Sequence, residues 1–264
     1  MKQICTDLTK EQEELDAIVA GIDEGTWKTQ TPADGWDIKE QIRHLAYYEE
    51  RARQAASHPE AFKHWLAEMA QDLNRFMDHI EKTGKELTPK ETLSWWREER
   101  NALLEILGKM NRKDRLPWYG PDMSALSFAT ARLMETWAHG QDIADALGIE
   151  RKPTDRLRHI AHIGVRTFVW SFVNRKMEIP GSTVRVELTG PADDLWSWGP
   201  EEAQDKVIGP AEDFCLAVTQ RRHVADTNLI VTGKTATQWM SIAQAFAGPP
   251  GPGRKPGMFP KRKQ

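Results

Sequence analysis

The sequence predicts a mainly α protein: an N-terminal up-down four-helix bundle followed by a smaller α+β domain. Three observations carry that expectation. Apolar residues recur at three- and four-residue spacing behind helix-start signals through about the first 150 positions. Alternating segments begin only beyond Lys152 and Pro153. The 264 residues, 39% of them hydrophobic, are enough for a buried core without disulfide or structural-metal support. The expected boundaries are 1–152 for the bundle, 153–247 for the α+β domain and 248–264 for a Pro/Gly-rich basic tail.

Each element follows from local signals. Thr9 with Gln12 reads as a capping box ahead of Leu15, Ile18, Val19 and Ile22, with Gly25 marking the end. Asp37 with Glu40 repeats the device before Ile38, Ile42 and Leu45. Pro59 opens a segment through Trp65, Phe76 and Ile80 to Gly84, since proline at a first-turn position gives up no hydrogen bond. Thr88, Pro89 and Glu91 start a helix carrying Trp95, Leu103, Leu107 and Met110. Ser124 caps a helix with Phe128, Leu133, Trp137 and Leu147, which Gly148 stops. Short joins between antiparallel helices make a bundle. One more helix, about residues 154–175, precedes Pro180 and Gly181. Strands are then expected at Thr183–Leu188, Trp196–Trp198, Asp205–Ile208 and Asn228–Val231, with helices at about 210–221 and 236–247.

Composition narrows the function classes. A net charge of −3 and a pI near 6.3 give no field for nucleic acid. Two distant cysteines, Cys5 and Cys215, exclude a disulfide framework and suit a reducing compartment. The start, MKQICTDLTKEQEELD, lacks the apolar core of a signal peptide, and no run approaches the ~20 apolar residues of a membrane span. The expectation is a cytoplasmic protein with a small-molecule substrate, no nucleic-acid or membrane partner, and a homodimer as one possible assembly. The tail GPPGPGRKPGMFPKRKQ carries five basic and no acidic side chains, which suits a mobile end or a clamp on an anion.

The stretch ARLMETWAHGQDIADAL, residues 131–147, is the one that points to chemistry. At about 100° per residue Leu133, Trp137, Ala144 and Leu147 share a core-facing side, while Arg132, Glu135, His139 and Asp142 line another. Glu135 and His139, four apart, project side by side, as a bidentate metal anchor on a helix requires. Such pairs are common on charged helices, so the spacing alone describes a solvated or salt-bridged face more readily than a metal site. A third ligand is needed, and His44 is the best candidate, bordering the apolar side of its helix near Tyr48. His159 and His162 have i, i+3 spacing, but the helix around them is explained by packing, so the two are kept only as pocket candidates, His162 as the one expected to bind substrate.

The combination of GWDIKEQIRHL, residues 35–45, with RLMETWAHGQDIADAL resembles the DinB-like metal-binding superfamily, in the branch of mycothiol-dependent maleylpyruvate isomerases. The resemblance implies that His44, Glu135 and His139 are zinc ligands, with Arg132 and Asp142 in flanking positions of catalytic importance. Residues 209–254 are similar to the C-terminal region of the same group, a sterol-carrier-like α+β domain, and to the wyosine base formation domain. That second likeness transfers no chemistry.

Two histidines and a carboxylate leave a coordination position open for water or substrate; the same set also suits iron or nickel. The resemblance implies a low-molecular-weight thiol as cosubstrate, so neither cysteine needs to act. The expected function is zinc-dependent isomerisation or S-transfer on a small unsaturated acid or enoyl thioester. The alternatives are a metal-water hydratase or hydrolase of a coenzyme A-type thioester, and a non-catalytic protein that binds an apolar ligand while metal staples its helices. Tyr48, His162, Arg221 and Arg222 are the expected substrate-binding side chains, the two arginines suiting a phosphorylated carrier.

Overall fold

The computed structural model describes residues 1–259. Its first unit, Met1–Arg151, contains α1 (Lys2–Ala20), α2 (Ile38–Ser57), α3 (Pro59–Met69), α4 (Leu73–Lys82), α5 (Pro89–Lys109) and α6 (Ala125–Leu147). The four long helices pack in a ring, α2 against α5 and α6, and α1 against α6 and α5. Between α5 and α6 lies a short hairpin, β1 (Arg115–Leu116) with β2 (Met123–Ser124), which local pattern does not announce. The ring closes on Leu15, Val19, Ile38, Ile42, Leu45, Leu93, Trp96 and Ile143, all buried. Among the described residues no helix is long and apolar enough to cross a membrane.

Three helix starts are where the sequence puts them, and the reasons are visible. The Thr88 hydroxyl accepts from Glu91 N while the Glu91 carboxylate accepts from Thr88 N, a complete capping box. Ser124 Oγ accepts from Ser127 N. Asp37 accepts from Glu40 N at 2.8 Å, but the box is half made, because the Glu40 side chain pairs with Arg43 instead of reaching back. Gly148, at φ +65°, ends α6 in the left-handed conformation.

Two expected elements of this first unit differ. The first helix begins at Lys2, seven residues before Thr9, whose hydroxyl donates back to Cys5 O at 2.9 Å inside the helix. Ile4 and Leu8 are buried and extend the apolar stripe N-terminally, so packing outweighs the cap signal. The segment from Pro59 to Gly84 is two helices, because Asp72 accepts from Arg75 N and starts α4 afresh.

The second unit, Lys152–Gln264, contains α7 (Leu157–Arg166) and α8 (Phe168–Val173), separated at Thr167, where one continuous helix was expected. Then come β3 (Val184–Thr189), β4 (Leu195–Trp198), β5 (Asp205–Pro210), α9 (Ala211–Val218), β6 (Ile230–Thr232) and α10 (Lys234–Ile242). The sheet order is β4-β3-β5-β6, with β3 and β5 parallel and the outer pairs antiparallel. Val186, Leu188, Trp196 and Val207 are buried, as are Phe214 and Trp239, whose rings meet edge to face at 5.9 Å.

The Pro/Gly-rich segment is tied down as far as it is described. Arg175 Nη2 donates to Gly251 O, Gly257 N donates to Asp226 Oδ1 at 2.7 Å, and the Arg222 guanidinium lies 3.7 Å from the centre of the Phe259 ring. Lys261, Arg262 and Lys263 lie outside the described residues.

Helix α7 meets α9 at Gly164, where a Cβ would stand 2.8 Å from Val218 Cγ2 and 2.9 Å from Phe214 Cε1. Gly164→Ala is therefore expected to destabilise by ~1–3 kcal/mol through overpacking. Gly108, exposed on α5 with open space around its Cα, should gain up to ~1 kcal/mol on the same change. Urea denaturation of both variants checks the opposite signs.

Candidate metal centre

The site lies inside the helical unit. A turn brings the chain onto α2: Trp36 N donates to Ala33 O, Thr31 N donates to Trp36 O, and Gly35, at φ +75°, is the left-handed residue that lets it close. Ile38, Ile42 and Leu45 seat α2 in the core, which leaves His44 on its border with Tyr48 one turn on. From α6, Glu135 and His139 face the same space.

Ligand atoms of His44, Glu135 and His139 all lie within 4.8 Å of one another. The two imidazole centroids are 4.5 Å apart, and His139 Nε2 is 3.3 Å from Glu135 Oε2. Trp36 covers both rings, 4.9 Å from His44 and 5.9 Å from His139 with near-parallel planes. Tyr48 packs on His44 at 4.6 Å, and Trp118 packs beyond it at 6.3 Å.

Charge in this setting is decided by the neighbours. Burial works to raise the Glu135 carboxyl, but its hydrogen bond to His139 and the positive charge of Arg132 overcome that and hold it down at about 2. Burial, reinforced by His139, pushes the His44 imidazole well below its ordinary value, with Glu135 opposing. The result at neutral pH is an anionic oxygen beside a neutral imidazole, the protonation states a divalent ion requires. Tetrahedral ligands at ~2.1 Å from an ion stand about 3.4 Å apart, so the three need only draw in modestly. The donor set fits zinc or iron on chemistry and spacing alike.

Arg132 is buried on α6, 4.0 Å from Glu135 Oε1 and 5.5 Å from the centre of the Trp118 ring. Its Nη1 is buried without a hydrogen-bond partner among the described residues. Asp142, one turn beyond His139 and almost fully buried, adds no ligand atom to the cluster. Of the expected substrate-binding side chains, only Tyr48 is in this unit. His162 is exposed on α7. Arg221 and Arg222 are in the second unit, where Arg221 Nη1 donates to Thr219 O and Arg222 Nη1 donates to Arg221 O, its guanidinium lying over Phe259.

Three contributors escape sequence reasoning. Gln41 Oε1 is 2.5 Å from His139 Nδ1, and Gln41 Nε2 donates to Thr31 Oγ1 at 2.8 Å. Its position three residues before His44, on the same side of α2, is the only signal it leaves. Trp118 comes from the β1–β2 loop, which has no periodicity to read. Glu49 is fully buried beside Gln12, whose Nε2 reaches its Oε1 at 3.4 Å.

A family model described as mycothiol maleylpyruvate isomerase N-terminal domain matches residues 8–144, and one described as wyosine base formation matches residues 180–232. Two Mycobacterium tuberculosis proteins, from different strains and each named uncharacterized protein, are 46% identical over 248 residues, covering 94% of this chain and 96% of theirs. The crystal structure of the mycothiol-dependent maleylpyruvate isomerase is similar with a TM-score of 0.56 at 14% identity, over 83% of this chain and 89% of that one. A histidine-to-alanine mutant of that enzyme gives 0.57 at the same identity and coverage. At that identity the likeness concerns the fold.

Glu49 offers a pH test of the bundle interior. Burial raises its carboxyl to about 7 against the opposing pull of Arg132, Gln12 and Arg100, with Glu99 adding to the rise. The unfolded chain releases this proton near pH 4.5 and the folded chain near 7, so folding stability is fully present below 4.5 and falls through that window. Relative to Glu49→Gln, which cannot titrate, the wild type should lose roughly 3 kcal/mol between pH 4.5 and 8. Denaturation at several pH values checks this; a constant difference between the two proteins would refute it.

Proposed function

The chain belongs to the mycothiol maleylpyruvate isomerase N-terminal domain family, and from that premise we propose a metal-dependent enzyme of the thiol-dependent isomerase or S-transferase type. Its substrate would be a small unsaturated acid or enoyl thioester, and His44, Glu135 and His139 would hold zinc. The observation that carries the reading is the donor count. Three ligand side chains converge, and among the described residues no fourth His, Cys, Asp or Glu joins them. A structural zinc closes its tetrahedron with protein, whereas a catalytic one keeps a position for water or substrate. When bound, the ion supplies a Lewis acid that lowers the pKa of a thiol or water in that position.

The chain's own residues supply binding and shielding. Arg132, buried with Nη1 unpartnered among the described residues, offers a charge-assisted hydrogen bond to a substrate carboxylate. Trp36, Tyr48 and Trp118 give flat apolar walls against which a conjugated chain would lie, away from bulk water. The nucleophile is external. Cys215 is fully buried, and burial pushes its thiol well above the ordinary range; Cys5 is half-buried on α1 and is likewise raised by burial.

An external thiolate adding to one carbon of the double bond would convert it to a single bond about which the chain rotates. Departure of the same thiolate restores the double bond in the other geometry, with no atom gained or lost. Protonation of the neighbouring carbon instead would keep the thiol on the product, which is S-transfer.

His139→Ala should reduce zinc from one equivalent to a trace by metal analysis; unchanged zinc would remove the assignment. In the cobalt-substituted protein, a physiological thiol should shift the visible absorption bands. No shift with any thiol tried would favour the water-based reactions over the thiol-based ones.

A further inference from the structure

We propose that Gln41 is a positioning residue that selects Nε2 of His139 as the metal-binding atom, through a relay of hydrogen bonds that begins in the turn before α2. This rests on the metal reading above and goes beyond it, because neither the ligand set nor the spacing of the motif says which imidazole nitrogen is used.

The relay can be followed atom by atom. The Thr31 hydroxyl donates to Trp36 O at 2.8 Å, which uses its only hydrogen. Its oxygen then accepts from Gln41 Nε2 at 2.8 Å. That contact sets the amide with nitrogen toward Thr31 and oxygen toward His139. An amide oxygen only accepts, so the 2.5 Å contact to His139 Nδ1 requires the proton on Nδ1. Nε2 then faces Glu135, 3.3 Å away, and holds either a second proton that hydrogen-bonds the carboxylate or, in its place, a metal ion. A lone pair facing a carboxylate is repulsive unless a cation or a proton stands between them.

Reversing the amide would undo each step. Its nitrogen would donate to Nδ1, the imidazole proton would move to Nε2, and the ligand atom would be blocked. Two further facts hold the relay in place: Gln41 is fully buried, so water cannot replace its contacts, and Thr31 is itself almost completely covered. Partners of this kind orient metal-bound histidines, and their loss typically weakens metal affinity about 10–100-fold.

The test compares zinc affinity, by competition with a chromophoric chelator, in the wild type, Gln41→Leu, Gln41→Glu and Thr31→Val. Gln41→Leu should bind zinc about 10–100-fold more weakly. Gln41→Glu, which keeps an acceptor oxygen, should retain wild-type affinity or exceed it. Thr31→Val should fall between, since it frees the amide to turn without removing it. The second readout needs no metal: nitrogen NMR of histidine-labelled protein, at a pH high enough for the imidazole to be neutral, should show His139 protonated on Nδ1 in the wild type and redistributed in Gln41→Leu. Wild-type zinc affinity in Gln41→Leu, or a wild-type His139 protonated on Nε2, would overturn the proposal. Should Gln41→Leu fail to fold, Thr31→Val and Gln41→Glu decide by the same two readouts. Absence of zinc binding in the wild type would instead count against the metal reading, and the proton position would still judge Gln41.

Discussion

A helical bundle is a poor solvent for an anion, and the Glu135 carboxylate is the charge around which this one is arranged. Burial alone would protonate it. Arg132 one turn earlier and His139 one turn later keep it ionised. Those groups have needs of their own. His139 requires an acceptor for its other nitrogen, which Gln41 provides, and Gln41 requires an orientation, which Thr31 and the turn at Gly35 provide. The site is thus specified outward from one carboxylate to a loop more than ninety residues distant in sequence.

The same logic explains why α2 is held so firmly. Arg43 donates to Ile80 O and Thr83 O, satisfying carbonyls at the end of α4. Lys39 donates to Lys85 O and Leu87 O just before α5. Arg53 pairs with Glu99 on α5, and Arg97 and Arg100 of α5 both pair with Asp16 on α1. Individually such contacts contribute little when exposed. Here they terminate on backbone groups or partly buried carboxylates, so they fix the level of one helix against the next. His44 and His139 come from different helices, and that level decides whether they meet.

The second unit is organised by aromatic packing rather than charge. Trp239 is buried against Phe168 and Phe214, and the parallel pairing of β3 with β5 aligns Val186 with Val207 in the same core. Arginines 175 and 222 hold the Pro/Gly-rich segment through backbone contacts and a ring face. Proline removes donors from such a segment, so side chains of the body must supply the bonds that strands or helices would otherwise make.

Helix starts at Asp37, Thr88 and Ser124, the stop at Gly148 and the four strands of the second unit were legible in the sequence, because caps and alternation are local physics acting over a few residues. So was the pairing of Glu135 with His139, which a helical turn imposes. Where local signals competed with packing, packing won: Thr9 lies inside α1 because Ile4 and Leu8 are buried on its N-terminal side. His44 was nominated by the sequence, but its distance from Glu135 and His139, the choice of His139 nitrogen by Gln41 and the walls from Trp36 and Trp118 belong to tertiary structure alone. They depend on the relative height and rotation of α2 and α6 and on a loop with no repeating pattern, and no spacing within one segment encodes a distance between two.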